Sequence, residues 1–249
     1  MVLSILSPSP AFAAERYEGL AYAKADGKLA YRELHWRYEE QGSPTRLVVY
    51  RCPDGTAFAR KRVRATADAS APDFEFIDGR DGYREGVRGG GDRREVFVQE
   101  RRDAAPRMRT LRMGAGVVVD AGFDALVRKR WDELLAGDAV AAAFLLPSRF
   151  DLLGVSIRRV ESAAGDAATI RLRMKLDAWY GFAAPQTDLA YRTSDRWLLR
   201  FEGIGSIRDA NGRNQAVRIE FPPDLHAASV DRAEVDAALA LPLSGQCNG

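Results

Sequence analysis

Two histidines, two cysteines and a wide scatter of carboxylates are the residues of this 249-residue chain whose types could do chemistry. A hydrolytic triad needs a histidine beside a nucleophile and a carboxylate. His35 alternates in register with Glu33 and Arg37 on what reads as a solvated strand face, and His226 lies past Pro222 and Pro223 in a terminal tail. Structural roles are therefore expected for both. A carboxylate pair could act as acid and base in glycoside hydrolysis, but the 35 acidic residues are spread along the chain and none is singled out. Gly114-Ala115-Gly116 lacks the third glycine of a dinucleotide loop, and Gly205-Ser206 has glycine on only one side, unlike a nucleophile elbow. No Cys/His cluster has zinc spacing and no acidic loop has EF-hand form, so neither a metal nor a cofactor is expected.

Cys52 and Cys247 are too few for a disulfide framework. In an oxidising compartment they could pair and pin the C-terminal tail to the turn at Cys52; in a reducing one they would be two free thiols. The 37 basic residues include only five lysines, and the net charge is +2, so composition does not point to nucleic acid. Arg60, Arg62 and Arg64 share a strand face and could touch phosphate or lipid headgroups. Solvated charges that protect an edge strand are the expected reading, and no aromatic residues interleave with them as single-stranded nucleic acid would require. Trp179, Tyr180 and Phe182, with Gly181 and Pro185, break the alternation of the preceding strand. They read either as the lip of an apolar pocket or as a packed corner.

The element that must position such groups is Phe123–Gly137. Phe123, Leu126, Val127, Trp131, Leu134 and Leu135 form one apolar stripe at helical spacing. Asp120 is the expected N-cap, Asp124 favours the dipole, Arg128 sits four residues from Asp124 and from Asp132, and Gly137 supplies the stop. Almost everything else reads as strands. Thr169–Asp177 is the cleanest: Ile170, Leu172, Met174 and Leu176 alternate with polar residues, the pattern of an antiparallel sheet with one buried and one solvated face. Ala25-Asp26-Gly27, Pro53-Asp54-Gly55 and Asn211-Gly212 mark tight hairpins. Roughly a dozen strands are expected, with Arg101–Arg107 as a charged connection. The fold class is thus mainly β (α+β): a large curved antiparallel sheet or half-barrel wrapped on one central amphipathic helix, residues 123–137. One domain spans residues 15–223, followed by a tail over residues 224–249 in which Asp231–Leu241 forms a short helix or frays.

Residues 1–14 carry a short apolar piece and Ala11-Phe12-Ala13, the small-x-small pattern of a signal peptidase site. With no basic n-region they read as a truncated signal, which places the mature protein in the periplasm or outside the cell, in preference to a disordered N-terminus. No run of 18 apolar residues is present, so no helical transmembrane span is expected.

Strands, one long helix and more strands behind a signal-like start resemble the periplasmic lipoprotein-carrier fold. The stretch Arg196–Pro223 is similar to the C-terminal hairpin of uncharacterised proteobacterial periplasmic proteins. The resemblance implies a half-open sheet covering a helix, with a lipid or other apolar ligand between them; it carries over no individual residue. The leading expectation is a non-enzymatic periplasmic protein binding an apolar or lipid-like ligand at Phe123, Trp131 and Leu134 of the helix and at Trp179, Tyr180 and Phe182. The alternatives are an envelope hydrolase using an Asp/Glu pair and a structural envelope protein with a solid core.

Overall fold

The computed structural model describes residues 14–161, 168–177 and 186–247. Eight strands come first: β1 (Ala14–Ala23), β2 (Leu29–Glu40), β3 (Ser43–Arg51), β4 (Ala57–Arg64), β5 (Asp73–Asp78), β6 (Arg84–Arg88), β7 (Arg93–Gln99) and β8 (Arg107–Arg112). The two-residue strand β9 (Val117–Val118) then leads into helices α1 (Gly122–Lys129) and α2 (Trp131–Ala136). After them run β10 (Val140–Leu146), β11 (Asp151–Val160), β12 (Thr169–Leu176), β13 (Thr187–Arg192), β14 (Leu198–Arg208) and β15 (Asn214–Glu220). A last strand, β16 (His226–Val230), and helix α3 (Arg232–Ala240) follow.

The alternating sequence pattern gives one continuous sheet. Its order runs from β8 back to β1, across to β15, and back again to β9, with β16 added beside β1. Every pairing is antiparallel except β9 with β10. A flat sheet of fifteen strands at about 4.8 Å spacing would be roughly 67 Å wide. Yet β8 and β9, at its two ends, are joined through Met113–Gly116 alone, a connection that reaches at most about 18 Å. Chain connectivity therefore forces the sheet to curl into a half-barrel. Gly27, at φ +72°, closes the β1–β2 hairpin where the Asp-Gly signal lies.

The half-barrel has a filled inner face and a partly covered outer face. Inside, Tyr17, Tyr31, Phe58, Phe74, Phe76 and Val96 belong to one core cluster. A second cluster joins Leu126, Val127, Trp131 and Leu134 to Ile157, Ile170, Leu172, Leu189 and Tyr191. Outside, Val235 and Ala238 of α3 cover Trp36, Tyr38, Leu47 and Val49. Asp231 caps α3 by accepting from the Glu234 N–H at 2.8 Å, and Trp36 Nε1 donates to Glu234 at 2.8 Å. The segment expected as a tail is thus an ordered part of the fold, held further by a Cys52–Cys247 disulfide.

Four expectations are corrected here. His35 and Glu33 are buried, not solvated: α3 covers the Trp36 face, so their face turns into the half-barrel. Arg60, Arg62 and Arg64 lie on β4, which is flanked by β3 and β5 and is no edge; Arg60 donates to the carbonyls of Leu239 and Leu241 at the end of α3. The central helix bends at Arg130 (φ −103°, ψ 22°) into α1 and α2, although both halves bury the same apolar stripe. Its N-cap is Ala121 with no side-chain bond, because Asp120 turns to Lys61 instead. The Asp124–Arg128 pair and the left-handed Gly137 stop are as expected. Among the described residues the strands number sixteen; β8, inside a stretch read partly as connection, and β16, inside the tail, were not anticipated as pairing strands.

Candidate functional site: a cleft between helix and sheet rim

Register carries the polar groups of the inner face to one end of the half-barrel. His35 stands opposite Val48, and Val48 opposite Lys61; one step along, Arg37 stands opposite Arg46, and Arg46 opposite Val63. Lys61 is 5% exposed, and its Nζ donates to Asp120 Oδ1 at 2.5 Å and to Ser206 Oγ at 2.9 Å. Asp120 makes this contact from a positive φ of 45°, a conformation that costs a non-glycine residue energy but that Asp tolerates better than most. Burial alone would raise the Asp120 carboxyl; the Lys61 charge, the Lys61 hydrogen bond and Arg46 outweigh it and hold the group below its ordinary value. Burial likewise opposes the charge of Arg46, but Tyr17, Asp120 and Asp124 raise it, so the guanidinium stays charged. Arg46 Nε has no hydrogen-bond partner, nor has Asp120 Oδ2.

Beside this cluster, Tyr83 Oη donates to Glu85 at 2.8 Å. Burial pushes the Glu85 carboxyl up, against the lowering effect of that hydrogen bond and of Lys61. His35 stacks on Tyr17 with centroids 4.4 Å apart and bonds Glu33 at 3.0 Å. Its burial lowers its pKa below 6.5 despite Glu33. A lysine beside a serine can be a catalytic dyad only if its nitrogen has a lone pair to take the hydroxyl proton. Here Lys61 Nζ lies within hydrogen-bond distance of both Asp120 and Ser206, so it ties a carboxylate and a hydroxyl together inside the half-barrel.

Where α1 meets the rim of β2, β3 and β4 there is a cleft of about 250 Å³. Its apolar wall includes Pro44, Val63, Pro72, Ala121 and Ala125, and its polar groups include Arg37, Arg46 and Thr45. The helix comes this close because residue 122 is glycine: a Cβ there would lie 2.0 Å from the Ser70 carbonyl oxygen. A second cleft, of about 690 Å³, lies at the other end of the half-barrel between the turns at Asp81, Glu100 and Asn211. It is lined by charge, with Arg208 over the Tyr83 ring at 4.0 Å and 3.6 Å from both Asp81 and Glu100.

Of the residues expected to hold a ligand, Phe123, Trp131 and Leu134 are brought together, but as core. Trp131 is 3% and Leu134 0% exposed, Trp131 sits edge-on to Tyr191, and Phe123 packs partly buried against the same cluster. Neither cleft is lined by them. Trp179, Tyr180 and Phe182 lie outside the described residues. Arg37 and Arg46, which line the helix–sheet cleft, were missed, as was the buried Lys61–Asp120 pair that neighbours Arg46. A signal for two of them existed: β2 and β4 carry large side chains on both faces, which marks strands covered on both sides, and Lys61 is the lone lysine in an arginine run. Among the described residues, no group of three or more His, Cys, Asp or Glu side chains could hold a metal ion, and no helix is long and apolar enough to cross a membrane.

No family model matches the chain, and no curated protein is significantly similar to it. Among solved structures it is similar to a β-barrel-like protein of a domain of unknown function, DUF1849, from Brucella abortus. The TM-score is 0.51 at 7% sequence identity, and the match covers 85% of this chain and 97% of that one. At that identity the likeness is one of architecture: the chain shares a β-barrel-like fold with that protein.

Proposed function

We propose that this is a non-enzymatic protein of the periplasm or cell exterior that binds a small amphiphile, with an apolar body and an anionic head, in the cleft between α1 and β2–β4. The observation that carries the reading is Arg46. It is a charged guanidinium that lines an apolar-walled cleft beside a second one, Arg37. Two arginines at one end of an apolar wall favour a ligand with a carboxylate or phosphate head, which a guanidinium pairs through charge-assisted hydrogen bonds. At the roughly 30 Å³ a water molecule occupies, the cleft takes about eight water-sized groups, which suits a medium-length chain rather than a diacyl lipid. The Cys52–Cys247 disulfide supports an oxidising compartment, in line with the signal-like residues 1–14, and the resemblance to lipoprotein carriers points to an apolar ligand held between sheet and helix. The ligand position differs from the sequence expectation: it is the Ala125 side of α1, not the Trp131 side.

Calorimetric titration of delipidated protein with octanoate tests this. Binding on the order of micromolar to millimolar Kd is expected, weakened at least about tenfold by Ala125→Trp, which fills the cleft, and by Arg46→Met. Trp131→Ala should cost stability and leave Kd within about twofold. Equal binding by the Ala125→Trp protein would remove the cleft from the account. A second reading, a hydrolase of envelope polysaccharide, draws on the Glu85 carboxyl being pushed up while Asp120, near the same lysine, is held down. Turnover of such a polymer that Glu85→Gln abolishes would favour it.

A further inference from the structure

The seam of the half-barrel leaves one strand without a neighbour. β8 is the terminal strand of the sheet and pairs only with β7 among the described residues, so its other side offers a row of unpaired N–H and C=O groups. Five of its six residues are exposed and Leu111 is half-buried. Met108 is 53% exposed. Its register with β7 runs unbroken from Arg93↔Arg112 to Val98↔Arg107, without the bulge that often protects an edge.

Charge is concentrated on this same hairpin. Residues 93–112 contain seven arginines against Glu95, Glu100 and Asp103, a surplus of four on a chain whose total is only +2. Arg93 faces Arg112 across the two strands, a like-charge pair that weakens a ladder by itself. Arg93 and Arg109 have no ion pair among the described residues; Arg109 rests instead on the Phe150 ring at 5.5 Å. Arginines of one sign repel the same edge of a second copy. A lipid headgroup or a nucleic acid would answer the charge and leave the backbone row unpaired. Only an extended polypeptide satisfies both.

We propose that β8 is a docking edge on which an acidic, extended segment of a partner protein adds as a further strand. The probe is a fluorescein-labelled peptide of alternating Glu and Val residues. Its controls are a basic counterpart, with Lys in place of each Glu, and the acidic peptide N-methylated at two consecutive central residues, which blocks both of its hydrogen-bonding edges. Fluorescence anisotropy should show saturable binding of the acidic peptide. Affinity should fall at least about tenfold for the N-methylated peptide and for the protein carrying Arg109→Glu and Arg112→Glu. Both arginines are exposed, so these substitutions leave the fold intact. Equal binding of the N-methylated and unmodified peptides would overturn the proposal in favour of charge alone. So would absence of peptide binding together with arginine-dependent binding to phosphatidylglycerol vesicles. A dimer in sedimentation that Arg112→Glu dissolves would assign the edge to a second copy and likewise overturn it.

Discussion

His35 is stacked on Tyr17 and hydrogen-bonded to Glu33 in a place where nothing can solvate a second positive charge; its Nδ1 has no partner. Burial depresses its pKa below 6.5, so the native state prefers the neutral ring while the unfolded chain takes up a proton more readily. The stability this contributes is present above the unfolded value and is lost as pH falls through 6.5 toward the lower folded value. Each unit of depression corresponds to about 1.4 kcal/mol. Urea unfolding between about pH 7 and pH 5 should therefore show the wild type losing more stability than His35→Gln. Glu85, pushed upward, works in the opposite direction, but it is common to both proteins and drops out of the comparison. Parallel pH profiles would show that the ring is not held neutral. None of this was legible from the sequence: His35 alternates with Trp36 and Tyr38, and alternation tells that a face is buried without telling which. Asp120 was misread for a related reason, since a capping residue and a left-handed aspartate look alike in sequence.

Elements tell a more favourable story for sequence reading. The Thr169–Asp177 alternation, the hairpin glycines and the Phe123–Gly137 stripe each act over a few residues, and each appears in the structure close to where it was expected. What local pattern could not supply was the partner of each face. The stripe of α1 and α2 meets packed core, and the outer face of β2–β4 is covered by a helix nearly 200 residues away in sequence. That helix is tied down by several contacts: the Glu234 bond to Trp36, the Arg60 cap on its last carbonyls, the Ser244 N–H to the Ala57 carbonyl at 2.8 Å, and the disulfide with its sequence separation of 195. A cross-link closing so long a loop restricts the unfolded chain strongly. Cys247→Ser is expected to lower unfolding free energy by about 2–5 kcal/mol, read as a lower urea midpoint. A midpoint unchanged by the substitution would mean that α3 docks as firmly without its covalent tether.

For the whole molecule, the curl of the sheet decides where function can sit. A meander that turns back on itself through Met113–Gly116 has two ends and one seam, and the three open features lie there: the cleft under α1, the charged cleft around Arg208, and the β8 edge. The fold class was legible because antiparallel alternation and a single helix leave few architectures. The candidate site was not, because Arg37, Arg46, Lys61 and Asp120 converge only through strand register and closure. Whether the helix–rim cleft holds a ligand is read out by native mass spectrometry of protein purified from its source organism without refolding. A one-to-one adduct with the mass of a medium-chain anionic amphiphile is expected, absent from the Ala125→Trp protein prepared in the same way. Protein carrying no adduct, or an adduct that persists in Ala125→Trp, would contradict a ligand in that cleft.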